Sequence, residues 1–177
     1  RAINLSPQHI SWYQLTIEPN TLFYSQPPVR PADDDIFELQ QQGQELLESA
    51  GYHQYEISAY AQKDQQCQHN LHYWQFGDYL ALGAGAHGKI SRSDTGEIRR
   101  NWQLRQPGAY MTALAADKMS DSEVLDEPQI VFEFMLNALR LKKGFELSLF
   151  ESHCGLSSSL ILPRCEEAIA KGLLEVE

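Results

Sequence analysis

The first sixty residues set the tightest constraint on the fold, because a strand-like run, a long helical pattern and a second strand-like run follow in that order. His9 to Ile17 is β-branched and aromatic and stops at Glu18-Pro19-Asn20-Thr21, which predicts a strand closed by a turn. Pro27, Pro28 and Pro31 then impose an extended loop. Asp33-Asp34-Asp35 offers caps and negative charge for a helix start. Behind it Ile36, Leu39, Gly43, Leu46, Leu47 and Ala50 recur on one face at helical spacing, and Gly51 is the stop signal. Tyr55-Glu56-Ile57-Ser58 reads as a short strand. Strand, helix, strand predicts a right-handed βαβ unit in a parallel sheet, and so an α/β fold.

A third strand is expected at Tyr79 to Gly83, after a polar loop from Gln62 to Gln68. Three parallel strands are too few for a closed barrel. The start, Arg1-Ala2-Ile3-Asn4-Leu5, has neither an initiator Met nor a secretory pattern. Both features lead to the expectation of a piece cut from a longer chain, whose exposed sheet edges invite association. Asp94-Thr95-Gly96 predicts a hairpin within residues 89–101.

Beyond about residue 105 the pattern turns helical, giving an α/β part over 1–105 and an α part over 106–177. Asp126-Glu127-Pro128 opens a helix with Val131, Phe134, Met135, Ala138 and Leu139 as its apolar stripe. A short helix runs from Leu147 to His153 and ends at Gly155. Ser157-Ser158-Ser159 caps a third, with Ile161, Cys165, Ala168 and Ile169 inward, stopped by Gly172 before a strand at Leu173 to Val176. Three helices and a strand describe a winged-helix-like domain with its wing clipped.

Fourteen Lys and Arg against 24 Asp and Glu leave a net charge of −10. Over residues 117–177 six bases face twelve acids, a balance of −6, the wrong sign for phosphate contact. Nucleic acid is therefore excluded as a partner, and no apolar run is long enough to span a membrane. Cys67, Cys154 and Cys165 form neither a disulfide framework nor a metal signature. They fit a reduced, cytoplasmic setting, each as a small buried hydrophobe.

The run richest in chemistry is Cys67-Gln68-His69-Asn70-Leu71-His72-Tyr73-Trp74-Gln75-Phe76-Gly77-Asp78-Tyr79, read as a loop leading into a strand. Imidazole is a common axial ligand of heme iron, and flat aromatics pack on a porphyrin face. The same residues could instead plug a barrel end, with His69 and His72 hydrogen-bonded or exposed. Gly83-Ala84-Gly85-Ala86-His87-Gly88 lets a ligand approach bare amides, or is simply a tight turn; it is not a GxGxxG fingerprint. Gln14 and Thr16 share one strand face, with Glu56 and Ser58 placed similarly on the next strand, where site, supporting or solvated roles all remain open. Glu18 and Asp78 read as turn or cap residues.

Three of these runs together resemble the HemN/HemW family of radical-SAM proteins. They are His9 to Thr21, Gly51-Tyr52 through Tyr55 to Ala61, and His69-Asn70-Leu71-His72-Tyr73-Trp74 through Gly83 to Gly88. The resemblance covers nearly the whole chain and is strongest to about residue 105. It implies the carboxy-terminal part of a partial radical-SAM (β/α) barrel, followed by a helical domain. HNxxYW resembles the motif that separates heme-binding members from true coproporphyrinogen oxidases. The resemblance therefore implies heme held by His69, with Asn70, Tyr73 and Trp74 around it, and delivery of heme to acceptor hemoproteins. The alternative is oxygen-independent oxidation of coproporphyrinogen III. The family's full-length members also imply a [4Fe–4S] cluster with S-adenosylmethionine, which Gln14, Thr16, Ser58 and His87 would approach. This chain departs there, having no CxxxCxxC run, and is expected by itself neither to hold the cluster nor to cleave S-adenosylmethionine.

Overall fold

The computed structural model describes residues 1–116 and 121–176, which form two compact units, residues 1–68 and 69–177. Asp117, Lys118 and Glu177, counted in the charge balance above, lie outside the described residues.

The first unit contains β1 (His9–Ser11), α1 (Leu22–Ser25), α2 (Asp33–Ser49), β2 (His53–Glu56) and β3 (Ala59–Ala61). The helix with the clearest signal forms, with three aspartates in its first turn complementing the dipole, but the cap position expected of them falls on Ala32, which makes no side-chain cap bond. It ends in a Schellman closure: Gly51 takes φ +82°, its N–H reaches Glu48 O, and Tyr52 N–H reaches Leu47 O at 3.0 Å. Its apolar stripe splits, however. Leu47 is buried and Ile36, Gly43 and Ala50 are partly covered, whereas Leu39 and Leu46 are exposed. Gly43 is fixed by close approach, since a Cβ there would lie 1.9 Å from the Trp12 ring.

The parallel sheet expected here is overturned. The order is β1-β3-β2 with both neighbouring pairs antiparallel, because β2 and β3 form a hairpin and β3 inserts beside β1. β1 and β2 run the same way but are separated by β3. The first strand is also shorter than read. Ladder pairing stops at Ser11, Trp12 N–H adds one bond to Ser58 O at 2.8 Å, and residues 12–17 are irregular. A small core of Leu47, Tyr52 and Tyr60, flanked by Ile3, Ile10 and Ala50, holds this unit. Tyr52 keeps a polar partner, its Oη donating to Pro7 O at 2.6 Å.

The second unit opens with α3 (Gln68–Trp74), whose first residue closes the preceding unit. β4 (His87–Ser91) and β5 (Ile98–Trp102) make the hairpin expected around Asp94-Thr95-Gly96, with Gly96 at φ +73°. α4 (Pro107–Ala115) follows, and β6 (Asp121–Val124) joins β5 to complete an antiparallel β4-β5-β6 sheet. The third parallel strand is not formed: Tyr79 makes one antiparallel bridge to Lys89.

Three helices then pack together, α5 (Glu127–Ala138), α6 (Leu147–Cys154) and α7 (Leu162–Ala170). α5 starts with a reciprocal capping box, Gln129 N–H to Asp126 Oδ1 at 2.9 Å and Asp126 N–H to Gln129 Oε1 at 2.8 Å. Phe134 is fully buried at the centre, and Phe76, Phe145 and Phe150 meet it edge to face. Ile130 joins the buried stripe while Leu139 faces solvent. The strand expected at residues 173–176 is irregular, so the winged-helix reading loses its final strand. Among the described residues no helix is long and apolar enough to cross a membrane.

Candidate functional site

The HNxxYW run folds as a helix, not as the loop expected from the sequence. α3 closes with a Schellman pattern in which Phe76 N–H reaches Tyr73 O at 3.0 Å and Gly77 N–H reaches His72 O at 2.8 Å. The left-handed position falls on Phe76, at φ +61°, where a glycine would be free of strain. Burial compensates. Phe76 is 1% exposed, meets Phe134 edge to face, and carries the Lys89 ammonium 4.1 Å from its ring centroid. With Phe76 rather than a glycine at the helix stop, no terminator is legible there.

Helix geometry places the four motif positions together. Positions 69, 70, 73 and 74 span an arc of about 140° at roughly 100° per residue, so they share one face. His69 is exposed, and Tyr73 meets it edge to face with centroids 4.9 Å apart. Tyr73 packs in turn on Tyr79 at 4.4 Å. The Tyr79 hydroxyl accepts from Arg100, whose guanidinium also binds Glu133, with Nε to Oε2 at 2.8 Å. Burial works against the Arg100 charge, but Glu133 and Tyr79 outweigh it and raise its pKa. On the same helix Trp74 is backed by the Arg140 guanidinium, 4.3 Å from its ring centroid.

The two motif imidazoles have different duties. His72 Nε2–H donates to the Asp78 carbonyl at 2.5 Å, and because a carbonyl only accepts, that nitrogen carries the proton. Its ring also lies over Gly77, where a Cβ would come within 2.3 Å. His69 instead presents its ring to solvent.

Asp78, expected to be a turn or cap residue, is one half of an ion pair with a buried lysine. Its Oδ1 lies 2.8 Å from Lys89 Nζ, and Lys89 is 1% exposed. Ser91 adds its N–H to Oδ2 at 2.8 Å and its hydroxyl to Oδ1 at 2.8 Å. Burial raises the Asp78 pKa, yet the bonds from Lys89 and Ser91 prevail and hold it below the ordinary carboxylate value. No sequence pattern marked Lys89, which stands in a strand like any surface lysine.

The remaining residues divide between the units. In the first, Gln14 and Ser58 line a cavity of ≈ 190 Å³ with Trp12, Ile36 and Tyr60. Gln14 and Thr16 also line an open concavity of ≈ 620 Å³ with Tyr24 and Arg30. Glu56 is buried and accepts from Ser58 N–H at 3.0 Å, so its carboxylate is engaged within the fold. In the second unit His87 is exposed at the start of β4, opposite Trp102. Three amides of the turn before it are already used, Gly83 to Tyr110 Oη at 3.2 Å, Gly85 to Leu104 O at 2.9 Å and Ala86 to Gly83 O at 3.2 Å. Burial pushes the Cys154 thiol up to about 12 and raises that of Cys165, as expected of inert cysteines. Cys67 is half-buried.

Comparison with known proteins bears on the whole chain. The model of the HemN C-terminal domain matches residues 125–177. Heme chaperone HemW of Escherichia coli (strain K12) is 49% identical over 174 residues, covering 98% of this chain and 45% of that protein. Heme chaperone HemW of Haemophilus influenzae is 46% identical over 174 residues, 98% of this chain and 44% of its own length. The chain belongs to the HemN/HemW family. It spans about 45% of the length of these HemW relatives. In fold it is similar to the Escherichia coli radical-SAM enzyme coproporphyrinogen III oxidase (HemN), with a TM-score of 0.67 at 15% identity over 99% of this chain and 44% of the other.

Proposed function

We propose that this chain is the carboxy-terminal half of a heme chaperone, that His69 is the axial ligand it offers to heme iron, and that the intact protein passes the heme to acceptor hemoproteins. The observation that carries this reading is the division between the two imidazoles: His72 is bonded to its own helix terminus, while His69 is exposed beside Tyr73. A neutral imidazole on a rigid element can bind iron, and aromatic side chains offer a face for the macrocycle. Asn70, Tyr73 and Trp74 share that helix face and complete the surface. Heme is cargo here, so His69 must bind and also release it.

The family's [4Fe–4S] cluster does not fit the residues of this chain. There is no CxxxCxxC run, and among the described residues no group of three or more His, Cys, Asp or Glu is placed to hold a metal. In this reading the cluster belongs to the other half of the intact protein. S-adenosylmethionine would meet, in the first unit, Gln14 with Ser58 in one cavity or Gln14 with Thr16 in the other, and His87 of the second unit stands as a separate candidate. A division at residues 105/106, a partial barrel, a cytoplasmic setting and association through sheet edges complete the proposal.

Likeness in fold to coproporphyrinogen III oxidase supports a second reading, decarboxylation of coproporphyrinogen III. One experiment separates the two. The intact protein is loaded with hemin, mixed with an apo-hemoprotein, and assayed in parallel for decarboxylation. Transfer without decarboxylation is expected; decarboxylation without transfer would replace this reading with the oxidase.

A further inference from the structure

We propose that Asp78 is the positioning residue of the heme-binding helix, acting through both its carboxylate and its carbonyl, with His72 as the clamp that links it to α3. The proposal rests on the reading of His69 as the heme ligand. Asp78 stands four residues beyond Trp74, at the point where the chain leaves the helix. Its carboxylate is pinned to β4 by three bonds, from Lys89 Nζ, Ser91 N–H and Ser91 Oγ, each 2.8 Å long. Its carbonyl is held from the other side by His72 Nε2–H at 2.5 Å. One residue thus ties the last turn of the motif helix to a sheet strand.

The surroundings are built for that purpose. Lys89 is buried, so its charge needs the carboxylate beside it, and Ser91 Oγ shares the load at 3.1 Å. Gly77 leaves the room that the His72 ring occupies. His153 of α6 donates from Nδ1 to the Gln75 carbonyl at 2.7 Å, so two imidazoles grip carbonyls on either side of the strained Phe76. A seven-residue helix is too short to hold its own geometry in water. External ties at its carboxy-terminal end therefore determine where His69, one turn away from His72, presents its ring.

His72 is exposed, so substituting it spares the core. The intact protein is compared with its His72→Ala and His72→Gln variants by hemin titration and by amide hydrogen exchange of residues 69–77 without hemin. Loss of one hydrogen bond corresponds to roughly a three- to tenfold effect. His72→Ala is expected to weaken hemin binding and speed exchange by about that factor, with the Soret maximum unmoved. Glutamine, whose amide can donate to the same carbonyl, is expected to restore both. Unchanged affinity and exchange in His72→Ala would overturn the proposal, as would a Soret band lost as in His69→Ala, which would make His72 itself a ligand. If the unsubstituted protein binds no hemin, the proposed function fails, and the exchange rates, with Asp78→Asn added as a variant of the carboxylate, still decide whether His72 and Asp78 fix the helix.

Discussion

The two units are held together by different chemistry. The first relies on Leu47, Tyr52 and Tyr60, with the Tyr52 hydroxyl donating to Pro7 O and accepting from Gln62, so its core is small and partly polar. The second has a core cluster of nine buried residues with Phe134 at its centre, three other phenylalanines meeting that ring edge to face, and an ion pair with a buried lysine. Secondary structure follows the core. Residues 12–17 of the first unit, apolar enough to be a strand, continue the pairing by one bond, Trp12 N–H to Ser58 O, and otherwise remain irregular, with Tyr13 and Leu15 exposed. In the second unit even a strained Phe76 is kept in place, because its ring is buried on both sides. The lesson is that burial, not propensity, decides which local patterns become fixed, and the candidate site stands on the better-buried unit.

The sharpest way to break this contrast is Phe134→Ala. Removing the central ring is expected to cost the second unit about 3–5 kcal/mol and leave the first unaltered. Urea unfolding followed by tryptophan fluorescence can tell them apart, with Trp12 reporting on the first unit and Trp74 and Trp102 on the second. Next is Asp78→Ala, which strands the buried Lys89 charge. A loss of about 3 kcal/mol is expected, at the low end for a broken buried pair because Asp78 is partly exposed. Adding Lys89→Met should recover part of it. In the first unit Tyr52→Phe removes the bond to Pro7 O and should cost about 1 kcal/mol in the same assay.

The smallest effect concerns pH. Burial lowers the His9 pKa, with Glu56 opposing, and His9 Nε2 lies 2.9 Å from Tyr55 Oη. The unfolded chain therefore takes up this proton first, and the first unit should lose stability as pH falls below the ordinary value of 6.5, levelling off below the folded value. Asp78, lowered despite its burial, contributes stability above its ordinary 3.8 and loses it only as pH falls further through the folded value. Mild acid should thus weaken the first unit while sparing the second, as followed by melting at pH 7 and pH 5.

Much of the helical framework was legible in the residues. Gly51 ended α2, Asp126-Glu127-Pro128 opened α5, and Gly155 took the left-handed position after α6 at φ +67°. These are local signals, settled within one helix turn. Strand partners are not local, and this is why β3 could separate β1 from β2 without any mark in the sequence. The motif residues were visible in the candidate site, but not their helix, whose stop fell on Phe76. Which imidazole was committed depended on the Asp78 carbonyl, and the importance of Asp78 depended on Lys89, eleven residues onward and buried with its ammonium over the Phe76 ring.

The central claim is that His69, presented by α3, is the residue that takes heme. A hemin titration of the intact protein and its His69→Ala variant, followed by Soret absorbance, tests it most directly. A saturable Soret shift in the first and none in the second is the predicted result; equal shifts in both proteins would contradict the account.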